Sequence, residues 1–127
     1  MKKVFIISCM LVLSHATFGQ QTTPIFDGGK GTEKLGGYVT SQLNNHNLEG
    51  RDEKLDSIKG TFAVVVKFFV DVDGSVVDAE IYKGAHPILD KEVLRVFNSM
   101  PKDKWTPAFN NGKPVKTSVV YLLPLKQ

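Results

Sequence analysis

The sequence predicts an α+β fold with two layers, in which two helices pack on one face of a three-stranded antiparallel sheet. The predicted order along the chain is helix, strand, strand, helix, strand. Three observations carry this prediction: a pair of alternating segments around an Asp-Gly turn, two segments with apolar residues at helical spacing, and a last alternating segment near the C-terminus. The first two strands need a third strand or helices on their apolar face, because two strands alone are not stable in water.

Residues 61–83 predict the first two strands. Valine or phenylalanine occupies every even position from 62 to 70, so we expect this face of the first strand to lie against the helices. On the second strand Val77, Ala79 and Ile81 alternate with polar or amphipathic residues. Asp73-Gly74 between the strands supplies the positive φ that a tight hairpin turn needs.

Two segments predict amphipathic helices. The first spans residues 32–45, with Thr32 as its N-cap. Its apolar face is expected to contain Leu35, Tyr38, Val39 and Leu43. The second spans roughly residues 89–100 and is ended by Pro101. Its apolar face is expected to contain Leu89, Val93, Val96, Phe97 and Met100.

A third strand is predicted near the C-terminus. Odd-numbered apolar or amphipathic residues from 115 to 125 alternate with a second set at the even positions. Pro124 marks either the end of this strand or an edge of the sheet, because proline cannot donate to a ladder. Asn111-Gly112 predicts the turn before it, and Trp105 is expected to fill the core rather than stack on a ligand.

The first nineteen residues differ in character from the rest of the chain. A short basic segment and an apolar run precede Thr17-Phe18-Gly19, which predicts a signal peptide over residues 1–19 and cleavage before Gln20. Ser14-His15-Ala16 is a second candidate cleavage site. We then expect a lead-in segment over residues 20–31 and the folded domain over residues 32–127. Two alternatives are an uncleaved N-terminal membrane anchor and a chain lipidated at Cys9.

The charge of the chain does not indicate a nucleic-acid partner. Lys2 and Lys3 belong to the predicted signal peptide, so cleavage lowers the formal net charge from +3 to +1. A mature chain that is close to neutral gives no support for binding nucleic acid or an anionic membrane.

The aspartates of the hairpin invite a calcium-site interpretation. Asp71, Asp73 and Asp78 are close in sequence, but a calcium loop needs a different spacing and a glutamate at its last position. Gly74 follows Asp73 directly and strands flank the segment, which favours a hairpin turn. Asp78 and Glu80 form a carboxylate pair on one strand, which is more typical of a solvated face than of acid–base catalysis.

Other candidate chemical sites also fail on spacing. Residues 28–32 contain glycines and a Lys, but they lack the order of a phosphate-binding loop and no apolar strand precedes them. His46 and His86 are the histidines of the predicted mature chain, and neither lies in a metal-binding pattern. We therefore predict no catalytic, cofactor-binding or metal-binding residues and no small-molecule substrate.

Several short segments, in this order and spacing, resemble the C-terminal domain of TonB in the form common in Bacteroidetes-type bacteria. Each segment is weak alone, and together they span about a hundred residues of the chain. The segments are Phe26-Asp27-Gly28-Gly29, Ile58-Lys59-Gly60-Thr61, Phe69-Val70-Asp71-Val72-Asp73-Gly74-Ser75-Val76, Leu89-Asp90-Lys91-Glu92-Val93, Met100-Pro101, Trp105-Thr106-Pro107-Ala108 and Asn111-Gly112-Lys113-Pro114-Val115.

The resemblance implies a periplasmic, non-catalytic module that docks on TonB-dependent outer-membrane transporters. In the family, a short transporter peptide, the TonB box, adds to the sheet edge as a strand, and such pairing uses main-chain hydrogen bonds. By resemblance we expect the last strand to be the docking edge. Its expected residues are Val115, Lys116, Thr117, Ser118, Val119, Val120, Tyr121, Leu122 and Leu123.

The sequence departs from the energy-transducing pattern of the family in one respect. It has no evident permanent inner-membrane anchor and no long proline-rich spacer, so a cleaved chain is expected to be a free periplasmic domain. The alternative function is therefore structural: a periplasmic assembly domain that pairs with itself or with a full-length TonB homologue without transducing energy.

Overall fold

The computed structural model describes residues 21–45 and 50–127. In chain order its elements are β1 (Ile25–Phe26), α1 (Leu35–Leu43), a 3-10 helix (Glu53–Ser57), β2 (Thr61–Val70), β3 (Val76–Lys83), α2 (Pro87–Asn98), a 3-10 helix (Lys102–Lys104), β4 (Trp105–Thr106), β5 (Ala108–Asn110), β6 (Lys113–Val115) and β7 (Thr117–Lys126). The predicted signal peptide and His46 lie outside the described residues. Within them, no helix has the length and apolar character needed to cross a membrane.

The main sheet confirms the predicted fold class. It has three antiparallel strands in the order β3-β2-β7, and the two helices cover one of its faces. Val64, Val66, Phe68 and Val70 of the central strand are fully buried. The even-numbered face of β2 therefore lies against the helices, as the alternation predicts.

Strand β3 departs from the predicted alternation at Asp78. The register between β2 and β3 shifts beside this residue, whose φ is 53°. Such a shift is a β-bulge, in which two residues of one strand oppose one residue of the other. Ala79 and Ile81 pack against the core as expected, but Val76 rather than Val77 joins them there. The prediction for Val77 is wrong because the extra residue reverses the faces beyond the bulge.

Helix α1 is shorter than predicted. It begins at Leu35 after Lys34, and Thr32 is not its N-cap. Residues 30–34 form turns instead, in which the Leu35 N–H donates to the Thr32 carbonyl at 3.0 Å. The helix ends at Leu43, and its apolar face is confirmed, with Leu35, Val39 and Leu43 fully buried.

Helix α2 begins earlier than predicted, at Pro87. Proline suits the first helical position because its N–H needs no partner there. The N-cap is His86, whose Nδ1 accepts a hydrogen bond from the Ile88 N–H at 3.2 Å. The helix ends at Asn98, earlier than the end predicted before Pro101. The predicted apolar face is confirmed within it, since Leu89, Val93, Val96 and Phe97 are buried, and Met100 is buried two residues beyond the helix end.

Aromatic side chains join the lead-in segment to the sheet. Phe26 is fully buried, and its ring lies 5.1 Å from that of Trp105. Trp105 is 5.5 Å from Phe68, which in turn lies 5.0 Å from Phe97 of α2. Short pairing of β1 with β4 places Phe26 in this stack. The lead-in segment is thus part of the packed domain.

The loop between β2 and β3 packs against the segment that leads into β4. Gly74 has a φ of 86°, and a Cβ atom there would lie 2.6 Å from the carbonyl oxygens of Lys102 and Trp105. Both the backbone conformation and this close approach require glycine. The Asp-Gly signal in the sequence therefore reflects tertiary packing as well as the turn.

Candidate functional site

The sheet leaves the outer side of β7 unpaired. This strand pairs with β2 along its ten residues without a register shift. On its other side it pairs with no strand of the described chain. We call this side, with its outward backbone groups, the free edge. An unpaired edge offers N–H and C=O groups to another strand.

The pair formed by Gly60 and Gln127 determines which backbone groups point outward. The Gln127 N–H donates to the Gly60 carbonyl at 2.8 Å, and the Gly60 N–H donates to the Gln127 carbonyl at 3.0 Å. In an antiparallel ladder, residues that bond inward alternate with residues that face away. The unbroken register from this pair means that the even-numbered residues of β7 face the free edge. They are Ser118, Val120, Leu122, Pro124 and Lys126.

Pro124 lies inside β7 and not at its end. It pairs with Ala63, and the strand continues to Lys126. Because the backbone nitrogen of Pro124 faces outward, its missing N–H costs no bond to β2. Of the two expectations for this proline, the edge position is the one observed.

The side chains of the outward-facing residues lie on the sheet face that the helices leave uncovered. Val120 is 60% exposed and Leu122 is 58% exposed, and they oppose Lys67 and Val65 of β2. Odd-numbered residues point to the helices, so that Leu123 is fully buried. The free edge is therefore bordered by two exposed aliphatic side chains.

The free edge begins later than the predicted docking strand. Val115 belongs to β6 and pairs with Ala108, because the turn at Asn111 and Gly112 closes a separate small hairpin. Lys116 lies between this hairpin and β7. Of the predicted docking residues, those from Thr117 to Leu123 lie in β7, while Val115 and Lys116 do not contribute to the edge.

A groove of about 340 Å³ runs beside the first half of the free edge. One side is formed by the start of β7 and the other by the lead-in segment and the turn before α1. The residues that line it are Thr23, Pro24, Gly31, Thr32, Thr117, Ser118, Val119 and Val120. Its volume falls at the lower end of the range for ligand pockets.

The lead-in wall of the groove is held in place by hydrogen bonds. The Thr22 N–H donates to the Phe109 carbonyl at 2.8 Å, and the Phe109 N–H donates to the Thr22 hydroxyl at 2.9 Å. Pro24 is buried, and Phe26 is anchored in the core two residues further on. These contacts fix the position of Thr23 and Pro24 opposite β7.

Lys116 connects the start of β7 to the other two strands on the uncovered face. Its Nζ lies 5.0 Å from the ring centre of Phe69 in β2 and 3.8 Å from the Asp78 carboxylate in β3. A cation above an aromatic ring is attracted by the negative face of the ring. The contacts hold this lysine over the sheet, away from the outward backbone of the free edge.

The hairpin aspartates serve the turn. Asp73 Oδ1 accepts hydrogen bonds from the Ser75 N–H and hydroxyl, and Asp73 Oδ2 lies 3.3 Å from the Lys102 Nζ. The Ser75 hydroxyl, the Ser75 N–H and Lys102 lower the pKa of Asp73 to about 2. A carboxylate whose oxygens are engaged in this way stabilises the loop, which agrees with the hairpin interpretation.

The described residues contain no cluster of metal-binding side chains. Across residues 21–45 and 50–127, no three His, Cys, Asp or Glu side chains are grouped so that they could hold a metal ion. His86 caps α2, and Trp105 is buried with its Nε1 donating to the Met100 sulfur at 3.3 Å. These two candidates therefore have structural roles.

Together, the α+β fold and the open β7 edge define a small two-layer domain with one regular, unpaired sheet edge. Comparison with family models matches residues 54–123 to the Gram-negative bacterial TonB protein C-terminal family. The chain belongs to this family, whose domains are periplasmic and interact with other proteins. Comparison with curated proteins and with solved structures gives no match.

Sequence reasoning missed the groove wall. Thr23, Pro24 and Gly31 lie in a segment that we expected to be only a lead-in, and Thr32 was assigned to a helix cap. Their position depends on the buried Phe26 and on the Thr22–Phe109 bonds, which join residues far apart in sequence. The apolar pair Ile25-Phe26, directly after Pro24 in an otherwise polar segment, was the one local signal.

Proposed function

We propose that this domain docks on TonB-dependent outer-membrane transporters by taking an extended transporter peptide as a fourth strand on the free edge of β7. Membership of the family supports a transporter as the partner. The unbulged, unpaired edge supports strand addition as the mode of binding, because main-chain hydrogen bonds provide affinity in such complexes. The open β7 edge is the observation that carries the proposal.

The groove supports β7 as the docking strand. A strand added at the normal spacing of about 4.8 Å would lie beside residues 117–122, with alternate side chains directed toward the groove. Thr23 and Pro24 on the far wall would then contact those side chains. Main-chain bonds would position the peptide, and the groove would select its side chains.

Calorimetry tests the proposal directly. The chain from Gln20 to Gln127, the predicted mature form, is titrated with N-terminal peptides of the host's own outer-membrane transporters. We expect binding at millimolar peptide or below for peptides of native sequence and weaker binding for scrambled peptides of the same composition. Absence of heat with every native peptide at millimolar concentration would contradict the proposal.

A second candidate function uses the same edge for assembly. The outward residues Ser118, Val120 and Leu122 are symmetric about Val120, so two copies could pair antiparallel there. Sedimentation without peptide separates the two functions. A monomer that binds transporter peptides supports docking. A stable dimer that does not bind these peptides supports assembly of the domain with itself or with a TonB homologue.

We further propose export through the N-terminal signal, with cleavage before Gln20. Its position leaves the lead-in segment intact, and that segment includes the Thr22–Phe109 bonds and Phe26. N-terminal sequencing of the protein recovered from the periplasm tests this. A retained N-terminus or a lipid on Cys9 would instead indicate a membrane-attached form.

A further inference from the structure

We infer that the bound peptide pairs with only three outward residues, Ser118, Val120 and Leu122, and that Pro124 ends the pairing. The inference rests on the proposed function and specifies the register and the kind of peptide. The peptide is a short extended segment with apolar side chains at two alternate positions, beside Val120 and Leu122.

The backbone of β7 sets the length of the pairing. Ser118, Val120 and Leu122 each present an outward N–H and C=O, whereas Pro124 presents only a C=O. The pyrrolidine ring of Pro124 also occupies the space in which the next peptide carbonyl would accept a bond. Lys126 has an outward N–H, but it lies beyond this interruption. A continuous ladder therefore stops after Leu122.

The exposed side chains set the pattern of the peptide. Val120 and Leu122 are 60% and 58% exposed on the uncovered face of the sheet. Alternate side chains of an added strand lie on this same face, whichever direction the strand runs. Neighbouring aliphatic side chains on adjacent strands stabilise one another, so apolar residues at two alternate peptide positions would cover these two.

The groove sets the position next to this pair. The peptide side chain opposite Val119, on the Ser118 side of the residue beside Val120, points to the helix side, where Thr23, Pro24 and Thr32 line the groove with Val119. Threonine hydroxyls and a small volume favour a small or hydroxyl-bearing side chain there. Charged residues would lose water in the groove without an opposite charge among these lining residues.

A single peptide strand fits this edge better than a second copy of the chain. A second sheet would bring its own β2 behind its β7, about 4.8 Å beyond the first added strand. Beside residues 117–120 that space is bordered by the lead-in wall of the groove. The bound partner is therefore expected to be an isolated extended segment.

Hydrogen exchange of backbone amides measures the register. In the free protein we expect the amides of Ser118, Val120 and Leu122 to exchange fast, while those of Val119 and Tyr121 are protected by β2. A transporter peptide that binds in the calorimetry should protect all three outward amides and leave the Lys126 amide fast. Protection of Lys126 would show that Pro124 does not end the pairing.

Matched proline substitutions test the same register by affinity. Val120→Pro removes one outward N–H. We expect the affinity for the peptide to fall at least about fivefold, which corresponds to the loss of one net hydrogen bond. Lys126→Pro removes an outward N–H beyond Pro124 and should leave affinity unchanged. Equal effects of the two substitutions would overturn the proposed register.

Substitution of the side chain alone tests the apolar pattern. Val120→Thr keeps the backbone and the β-branched shape, and we expect affinity to fall about twofold to threefold. Tyr82→Ser, at an exposed aromatic on β3, is the control and should have no effect. If wild type binds no peptide, the proposed function fails together with this inference. If wild type and Val120→Pro bind equally well, only the register is wrong.

Discussion

The two outer strands of the sheet differ in how open they are to another strand. Strand β7 pairs with β2 for ten residues without a register shift, and two of its outward-facing residues, Val120 and Leu122, are exposed and aliphatic. Strand β3 shifts register twice against the same partner and carries Asp78 with a φ of 53°. One edge is regular and apolar, and the other is bulged.

The contrast indicates how the fold can offer one edge for docking without exposing two. Bulges twist an edge away from a flat template, and charged side chains discourage pairing with another chain. On β3 the exposed residues include Asp78, Glu80 and Lys83, all charged. On β7 the protection is limited to Pro124, which leaves the first half of the edge open. Selectivity between the edges thus comes from both the bulged backbone and the charged side chains of β3.

Proline scanning of β7 is expected to produce the largest effect on stability. Val119→Pro removes an N–H that bonds to β2 and places a ring against the Phe68 backbone, which should cost about 3 kcal/mol. Val120→Pro, one residue further, faces outward and should cost less than about 1 kcal/mol. Urea unfolding of both variants measures the difference. Equal losses would mean that the inward and outward assignment is wrong.

Substitutions at the β3 bulge are expected to have the next largest effect. Asp78→Val puts a β-branched residue into the left-handed region, which should destabilise the domain by about 1–2 kcal/mol. Both substitutions remove the ion pair between Asp78 and Lys116, which is exposed and therefore weak. In Asp78→Gly, however, the glycine tolerates the positive φ.

The two Asp78 variants separate the backbone from the charge. Stability close to wild type is expected for Asp78→Gly, and the difference between the variants is read from urea unfolding. If both variants lose the same stability, the ion pair matters and the bulge does not. A Val variant as stable as wild type would indicate that β3 can straighten, and the contrast between the edges would then be weaker.

Much of the fold could be predicted from the sequence because it depends on local periodicity. The alternation in β2 identified its buried face, and the spacing from Leu89 to Met100 identified α2. The bulge at Asp78 could not be predicted in this way, because Val77 and Ala79 continue the alternation and only pairing with β2 breaks it. Helix α1 was extended too far because Thr32 is a good cap in isolation but lies in a turn.

Less of the candidate site could be predicted. The last strand was identified from its alternation and by resemblance, but its start at Thr117 depends on the hairpin that pairs Val115 with Ala108. The groove wall depends on contacts between Thr22 and Phe109, eighty-seven residues apart. The Gly60 and Gln127 hydrogen bonds were needed to show which residues of β7 direct their backbone N–H and C=O groups to the free edge.

Replacing Pro124 is expected to make the open edge longer. Pro124→Val adds an outward N–H between Leu122 and Lys126, so the edge presents an unbroken row of donors. Stability should change by less than about 1 kcal/mol, but self-association at millimolar concentration should increase. Sedimentation measures it, with Pro114→Val, a proline in the separate small hairpin, as the control. Unchanged sedimentation would show that Pro124 does not protect the edge.

The smallest expected effect concerns the loop that leads into the bulged strand. The pKa of Asp73 is lowered to about 2 by the Ser75 hydroxyl and N–H and by Lys102. A carboxyl whose pKa is lower in the folded state contributes stability that is fully present above its unfolded pKa of about 4. This contribution is lost as the pH falls toward 2, because the folded state must then take up the proton.

Asp73→Asn should therefore flatten the acid limb of the stability profile. Between pH 4 and pH 2 we expect unfolding midpoints in urea to fall more steeply for wild type than for the variant. Ser75→Ala, which removes the hydroxyl donor, should give an intermediate slope. Above pH 5 each curve should be flat with respect to Asp73. Parallel curves for all three proteins would mean that this carboxylate does not stabilise the loop.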